Sequence, residues 1–327
     1  MKLVYNKIFL EHITPPGHAE NKTRLESLGN LPESTIINGE PFLELVHTKA
    51  HIEKIREACT HSEQIDADTF TSPKSFEIAT HAVGAAIMAS MKNDFAIVRP
   101  PGHHAYPNKA SGFCLFNNIA IATQKLVNEG KKVFILDFDG HLGDGTLQTF
   151  YNTDKVLFWS LHQYPAFPGG GFVTEIGEGK GKGYSVNVPL PPESGDDIFM
   201  HAINNFMTIA EQFSPDVVGI SAGFDAHIED PLLQLRISAG TYYKIGQLLK
   251  NKFKNVFAVL EGGYNTTYLP KCLFNFLAGI NGDPIYYSEE ETHSQSEALN
   301  DYLKRASMLN TNLSSYWNLP AKLEGIK

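Results

Sequence analysis

The sequence predicts an α/β fold: one three-layer α/β/α domain with a mostly parallel central sheet. Short, uninterrupted apolar runs alternate with longer stretches of helical periodicity. Strands buried on both faces have this continuous apolar character, and their alternation with helices is typical of a parallel sheet covered on both sides. With 327 residues, 42% of them hydrophobic, the chain is long enough to bury the large hydrophobic core that such a domain needs.

The individual elements are predicted from these periodicities. Strands are predicted over 95–98, 132–139, 156–162, 184–190, 217–222 and 256–260. Helices are predicted over 75–91, 117–128, 197–212, 239–252 and 268–278. The polar run 288–297 predicts a solvated loop before a C-terminal helical tail, over 298–308, after which Tyr316 and Trp317 can dock onto the core. Because no linker or repeat interrupts the pattern, one domain over 1–327 is predicted.

Composition excludes several classes of function. The net charge of −9 disfavours direct nucleic-acid binding, because no positive field would attract phosphates. Three separated cysteines without a C-x-x-C pair disfavour a disulfide framework and a cysteine-rich zinc site. The N-terminus does not resemble a signal peptide, and no apolar run approaches the roughly 20 residues of a membrane span. We therefore expect a cytoplasmic protein without membrane contact; its oligomeric state stays open.

Polar clusters follow four of the predicted strands. In an open parallel sheet, ligands bind beyond the carboxyl ends of the strands, so these clusters are expected to meet at one rim. The clusters occupy 99–104, 137–145, 221–225 and 261–265.

Asp139 and His141 form the first candidate constellation. In an extended segment, side chains two residues apart point the same way, so both can reach one metal ion. A catalytic metal site usually has three protein ligands, and Asp225 is the best candidate for the third. Two carboxylates and one imidazole suit Zn²⁺ and also accommodate Fe²⁺ or Co²⁺. Alone, such a pair is also typical of a capped turn, and the other clusters favour the metal site.

His103 and His104 form the second constellation, in a loop rich in proline and glycine. Two imidazoles can act as acid and base when each is oriented by a partner on its far nitrogen, and Asp137 and Asp144 can supply those partners. Tyr264 follows two glycines and can direct its hydroxyl at a substrate carbonyl oxygen. A surface histidine pair and an ordinary half-buried tyrosine are the alternatives for these residues taken singly.

Together these residues resemble the zinc-dependent histone deacetylase and acetylpolyamine amidohydrolase family, which has the arginase/deacetylase fold. The matching segments occur in the family's order, and the opening PPGHAENKTRLESL (15–28) also resembles the family's first loop. The segments are RPPGHHA (99–105), SGFCLFNNIAIA (111–122), DFDGHLGDGT (137–146), SLH (160–162), AGFDAHIEDPL (222–232) and EGGYN (261–265).

The resemblance implies a role for each matching residue. It implies Asp139, His141 and Asp225 as zinc ligands. His104 would be the general base, paired with Asp144; His103, paired with Asp137, would be its electrostatic or acid partner. Tyr264 would polarise the acetyl carbonyl. The implied substrate contacts are the Gly112 backbone, the tunnel walls Phe113 and Phe167, the apolar lip Leu232, and Arg24 near the acetate exit. A structural potassium site would use Asp137, Asp139, His141, Ser160 and Leu161, and a second would use Phe150, Thr153 and Val156.

The implied reaction is hydrolysis of an N-acetylated amine by metal-activated water. The family usually has a second histidine where this chain has Leu142, a position that is not a ligand, so we expect altered packing and retained catalysis. Leu232 lacks an acidic side chain that would favour a cationic polyamine, which favours N-ε-acetyl-lysine in peptides or proteins as substrate. Glu229 and the acidic net charge leave acetylated polyamines as the alternative.

Three other functions compete with this one. VFILDFDG (133–140) resembles the first motif of haloacid-dehalogenase-type phosphatases, but His141 stands where that motif has threonine, and the histidine pair stays unexplained. A two-metal ureohydrolase of the arginase type would need more bridging carboxylates. A non-catalytic acyl-lysine-binding protein would have no need of Tyr264 or of the His–Asp pairs.

Overall fold

The computed structural model describes residues 1–323 and 325–326. Its strands form one seven-stranded sheet in the order β1-β2-β7-β6-β3-β4-β5, and every pairing is parallel. The predicted fold class is confirmed. The strands are β1 (Leu3–Val4), β2 (Phe95–Ala96), β3 (Val133–Asp137), β4 (Val156–Gln163), β5 (Ser185–Leu190), β6 (Val217–Ala222) and β7 (Val256–Leu260).

The described residues form helices on both sides of this sheet. Short 3₁₀ turns occupy Lys7–Glu11, Glu40–Leu45 and Gly179–Gly181. The α-helices are α1 (Thr23–Glu26), α2 (Lys49–His61), α3 (Ser75–Lys92), α4 (Asn118–Asn128), α5 (Asp144–Phe150), α6 (Asp196–Phe213), α7 (Ala239–Lys252), α8 (Leu269–Asn281) and α9 (Ser296–Leu313). None of the helices in the described part of the chain is long and apolar enough to cross a membrane.

The predicted boundaries differ from the structure mainly where a strand gives way to a functional loop. β3 was expected to reach residue 139 and ends at Asp137, because the Asp139 N–H turns back to donate to the Asp137 carboxylate. β2 ends at Ala96 and not at 98, just before the Arg99-Pro100 segment. β1 was not predicted, since two residues are too short to give a periodic signal.

Helix α2 was also not predicted. Thr48 caps its first turn by accepting from the His51 N–H, and Ser62 ends it in the left-handed conformation. Its buried side chains are interspersed with charged ones, which weakens the apolar signal. The helix lies close to the start of α4: the Nε2 atom of His51 is 2.9 Å from the Leu115 carbonyl oxygen, just before α4 begins.

The segment 288–297 is irregular and mostly exposed up to the start of α9, and three of its residues also form hydrogen bonds to the body. Glu289 accepts from the Ala239 N–H at 2.7 Å, at the start of α7. The Thr292 N–H donates to Asp196 at 2.9 Å, and the Ser294 hydroxyl donates to Asp197 at 2.5 Å, at the start of α6. Two helix N-termini thus bind this segment, and α9 begins at 296, not at 298.

The C-terminal tail docks as expected, since Trp317 Nε1 donates to the Gly183 carbonyl at 2.7 Å. The predicted domain, 1–327, includes Glu324 and Lys327, which lie outside the described residues. That the chain forms one catalytic domain stays a prediction.

The pairing register of the central strands places their carboxyl ends at the same edge of the sheet. Asp137, the last residue of β3, lies opposite Ser160 of β4 and Ser221 of β6. The loops that follow β3, β6 and β7 therefore leave the sheet side by side, and the polar clusters predicted to share a rim are adjacent.

Candidate metal centre and active site

Asp139, His141 and Asp225 converge at this rim. One ligand atom from each lies within 4.8 Å of the others, and all three side chains are buried. His141 Nδ1 is 2.8 Å from Asp225 Oδ2 and 3.3 Å from Asp139 Oδ1. The structure thus brings together the three residues predicted as ligands from two distant parts of the sequence.

The electrostatics of this cluster fit a cation. Burial alone would raise the pKa of Asp139, but His103 and His141 outweigh it and hold that pKa below its usual value. Burial and the neighbouring Asp139 carboxylate raise the pKa of Asp225. The pKa of His141 is raised to about 10, because the two carboxylates overcome the opposing effect of burial. A divalent ion would supply the positive charge that this buried pair of carboxylates demands.

Glycines make the close approach of these carboxylates possible. A Cβ atom on Gly223 would lie 1.9 Å from Asp139 Oδ2, and one on Gly262 would lie 2.4 Å from Asp225 Oδ2. The Gly262 N–H donates to Asp139 at 2.8 Å, and the Gly140 N–H donates to Asp225 at 2.6 Å. Backbone N–H groups therefore fix both carboxylates in the orientation that faces His141.

The two adjacent histidines each have a carboxylate partner. His103 Nδ1 lies 3.1 Å from Asp137 Oδ2, and His104 Nδ1 lies 2.8 Å from Asp144 Oδ1. Their ring centroids are 4.0 Å apart. Asp144 is the first residue of α5 and also accepts from the Tyr106 hydroxyl at 2.7 Å. Both Nε2 atoms are thereby left for other partners.

The two imidazoles differ in charge. Burial opposes protonation of His103, but Asp139 and Asp137 outweigh it and raise its pKa well above the usual value. Burial and the charge on His103 lower the pKa of His104 to about 4. At neutral pH the pair therefore combines a cationic imidazole with a neutral one, which is the combination that acid–base chemistry uses.

Tyr264 reaches the rim from the loop after β7. Its N–H donates to Asp230 Oδ2 at 2.7 Å, and its ring lies under the Arg24 guanidinium at 4.8 Å from the ring centroid. Burial raises the pKa of the Tyr264 hydroxyl well above its usual value. The hydroxyl consequently keeps its proton and can donate to an oxygen atom.

Arg24 lies behind this tyrosine and is fully buried. Its guanidinium donates to the carbonyls of Gly263 at 2.7 Å and Glu261 at 2.5 Å, and to the Glu20 carboxylate at 3.2 Å. Arg24 is therefore bonded to the backbone on both sides of Gly262, directly before Tyr264.

The residues predicted to contact substrate surround the histidines and the tyrosine. The Phe167 ring lies 5.2 Å from that of His104, and the Phe113 ring lies 5.7 Å from that of Tyr264. Gly112 has a positive φ of 54°, and a Cβ atom there would lie 2.5 Å from His104. Phe167 is 47% exposed and Leu232 is 41% exposed, and the Leu232 N–H donates to Asp230, the carboxylate that also accepts from the Tyr264 N–H.

Two of the residues predicted for potassium, Asp139 and His141, also belong to the candidate metal cluster. Asp137 of β3 and Ser160 of β4 are register partners, and Leu161 is the next residue of β4. Phe150 ends α5, its carbonyl accepts from the Thr153 N–H at 3.3 Å, and Val156 begins β4. Leu142, which replaces the usual histidine, is buried and packs beside Gly171.

Two acidic residues at the site were not singled out from the sequence. Glu261, fully buried, accepts from the N–H groups of Gly102 and His103 at 2.7 and 3.1 Å. Asp230 accepts from the N–H groups of Tyr264 and Leu232. Glu261 directly follows β7, and Asp230 comes shortly after Asp225, so their positions were the signal that the sequence offered. The hydrogen bonds they accept come from loops that are distant in sequence, such as the bonds from His103 and Tyr264.

Comparison with known proteins gives the family of this site. Residues 18–280 match the sequence model of the histone deacetylase domain. The chain belongs to the histone deacetylase family. This membership favours the deacetylase interpretation of DFDG over the phosphatase one.

Similar proteins and one solved structure extend the histone deacetylase match over nearly the whole chain. A "Probable deacetylase" of Archaeoglobus fulgidus is 36% identical and covers 94% of this chain and 93% of its own. "Histone deacetylase 8" of Arabidopsis thaliana is 35% identical, covering 85% and 84%. The crystal structure of the "HDA15 HD domain" has a TM-score of 0.87 and 30% identity, and covers 97% of this chain and 95% of its own.

Proposed function

We propose that this histone deacetylase family member removes acetyl groups from N-ε-acetyl-lysine in peptides or proteins, with acetate and a free amine as products. The observation that carries the proposal is the meeting of one metal-ligand cluster, two His–Asp pairs and a protonated tyrosine at a single rim. Non-catalytic binding of an acylated lysine would not need this set of oriented acid–base groups.

Asp139, His141 and Asp225 would hold the divalent cation. Their donor set of two carboxylates and one imidazole suits Zn²⁺, and Fe²⁺ is also compatible with it. When bound, such a cation supplies the Lewis acidity that polarises a carbonyl and acidifies water.

His104 is the proposed general base. Asp144 holds its Nδ1 atom, so the Nε2 lone pair can accept a proton from the water that attacks the amide carbon. The C–N bond then breaks, and an imidazole of the pair returns a proton to the leaving amine. His103, cationic beside Asp137, stabilises the negative charge that develops on the oxygen.

Tyr264 would donate its hydroxyl proton in a hydrogen bond to the same oxygen. Arg24 binds the preceding backbone, and its guanidinium would offer positive charge to departing acetate. The Gly112 carbonyl would accept the N–H of the scissile amide. Phe113 and Phe167 would enclose the alkyl chain of the lysine, with Leu232 at the lip.

Two potassium sites are part of the proposal. The first would use Asp137, Asp139, His141, Ser160 and Leu161, and the second would use Phe150, Thr153 and Val156. The register pairing of Asp137 with Ser160 supports the first, because it brings their backbones side by side at the end of β3.

The apolar lip favours acetyl-lysine over acetylated polyamines. An acetylated polyamine carries a further ammonium group, and the apolar side chain of Leu232 offers no negative charge to bind it. Glu229, exposed three residues earlier, and the net charge of −9 are the features that favour the polyamine alternative. We further expect a cytoplasmic protein without direct nucleic-acid or membrane contact.

The deciding experiment measures acetate released by zinc-loaded protein from matched panels of acetyl-lysine peptides and acetylated polyamines. Turnover of the peptides, lost in Asp139→Ala and Tyr264→Phe, is expected. Turnover of polyamines alone would move the substrate to the alternative class. Metal-loaded protein that releases no acetate from either panel would contradict the proposal.

A further inference from the structure

The loop 164–173 carries Phe167 over the candidate active site. Besides its 5.2 Å contact with the His104 ring, the Phe167 ring lies 6.4 Å from that of His141. The position of this loop therefore determines how much space a substrate finds in front of the histidine pair and the metal ligands.

Helix α9 binds the first end of this loop. The Arg305 guanidinium donates through Nη1 to the carbonyl of Tyr164 at 2.8 Å and to that of Pro189 at 3.3 Å. Its carbon also lies 5.5 Å from the centroid of the Tyr164 ring. Asp301, one turn earlier on α9, accepts from Nη2 at 2.5 Å and orients the guanidinium. The Arg305 side chain is 13% exposed, so these bonds are largely shielded from water.

The same helix binds the other end of the loop. Asn312 Nδ2 donates to the Val173 carbonyl at 2.9 Å. Arg305 and Asn312 are about two helical turns apart, which places them on one face of α9. One rigid helix thus holds a backbone carbonyl at each end of the Phe167 loop.

We propose that α9 positions the Phe167 loop, with Arg305 and Asn312 as positioning residues that determine substrate affinity. This role rests on the proposed function, since it concerns the entry of an acylated amine. The helix lies after residue 280, where the match to the family domain ends, and so it adds to the active site from outside the matched region. The sheet also contacts this loop: the Tyr164 N–H donates to the Leu190 carbonyl at 2.8 Å, and His162 Nε2 lies 3.1 Å from the Gly171 carbonyl oxygen. The bonds from α9 add to these contacts and bind the carbonyls of Tyr164 and Val173.

The test begins with backbone hydrogen exchange in the zinc-loaded full chain. Arg305→Met should speed exchange in peptides from 164–173 by about ten-fold, the change expected for losing a hydrogen bond from a charged donor. Exchange in β6 and β7 should not change. Arg305→Lys should recover part of the protection, because an ammonium can still donate to Tyr164. Lys304→Met, at the neighbouring exposed position on α9, is the matched control and should behave as wild type.

Kinetics on an acetyl-lysine peptide provide the second measurement. Arg305→Met and Asn312→Ala should each raise KM several-fold with little change in kcat, because the acid–base groups are untouched. Unchanged exchange in 164–173, or exchange that rises equally throughout the sheet, would overturn the proposal. If the wild type releases no acetate, the proposed function fails separately, and the exchange measurement still decides the role of α9.

Discussion

The Tyr264 hydroxyl is kept in its protonated form by burial, and Arg24 and Asp230 fix its backbone on either side. Tyr264→Phe removes only the donor. We expect kcat for deacetylation to fall roughly 10²- to 10³-fold, the usual effect of deleting one oxyanion donor, with KM little changed. Steady-state kinetics with metal content measured alongside will check this. Wild-type kcat in a fully metallated variant would exclude the tyrosine from catalysis.

Asp225, a proposed metal ligand, offers a test of metal binding through the stability of the protein. Its raised pKa reflects burial beside Asp139, a repulsion that a bound cation relieves. For wild type we expect a Tm that rises with added Zn²⁺, because a ligand at 100 times its Kd stabilises by about 2.7 kcal/mol. Asp225→Asn should abolish that rise, whereas Asp154→Asn, at a partly exposed surface acid, should retain it. A zinc-dependent rise that persists in Asp225→Asn would mean that the ion binds elsewhere.

Single residues differed in how far the sequence alone could specify them. The position of Asp137 and Asp144 after a buried strand indicated them as possible partners of the two histidines, and the pairing of His104 with Asp144 was implied by the family resemblance. The role of Glu261 was not, since its acceptor function depends on the N–H groups of Gly102 and His103, which only folding brings within 3.1 Å.

At the scale of elements, the loop after β6 forms hydrogen bonds with several parts of the site. Asp230 accepts from the N–H groups of Tyr264, Asn265 and Leu232, so the tyrosine loop and the outer lip are bonded to one carboxylate. His227 in the same loop accepts from the Glu229 N–H through Nδ1, and its Nε2 atom lies 3.1 Å from Glu289. The segment 288–297 thereby supports the loop that holds Asp225.

Glu289 makes this support testable. Glu289→Ala would leave the Ala239 N–H and the ring of His227 without their carboxylate partner. We expect a loss of about 1–3 kcal/mol in the free energy of unfolding, the usual cost of stranding a buried polar group. Glu290→Ala, at the next and exposed position, is the control and should be nearly neutral. Urea denaturation will compare the two, and equal stabilities would show that the contacts of Glu289 do not stabilise the fold.

At the scale of the whole molecule, a buried histidine predicts how stability depends on pH. Burial and the nearby His51 lower the pKa of His47 to about 3. Its Nε2 atom accepts from the Asn117 N–H at 2.9 Å, at the cap of α4, and this bond requires the neutral ring. In the unfolded chain, the His47 ring binds a proton near pH 6.5. The contribution of His47 to the free energy of unfolding is therefore complete above that pH, and it is lost as pH falls from about 6.5 towards 3.

The expected slope from this one group is about 1.4 kcal/mol per pH unit inside that window. His47→Gln should remove that contribution and flatten the curve of unfolding free energy between pH 7 and 5. His61→Gln, at an exposed position on α2, should leave the curve as in wild type. A wild-type slope in His47→Gln would show that other groups dominate the acid response.

The sequence by itself determined the parallel α/β architecture and the identity of the polar groups at the strand ends. Both are local properties: apolar runs define buried strands, and the residues that come directly after them face the carboxyl edge of the sheet. Tertiary structure decided those contacts and charges that no motif indicated. The charge difference between His103 and His104, the support of Tyr264 by Arg24, and the bonds from α9 to the Phe167 loop all depend on distances between segments remote in sequence. Periodicity carries no information about such distances, because they are set by how the layers pack.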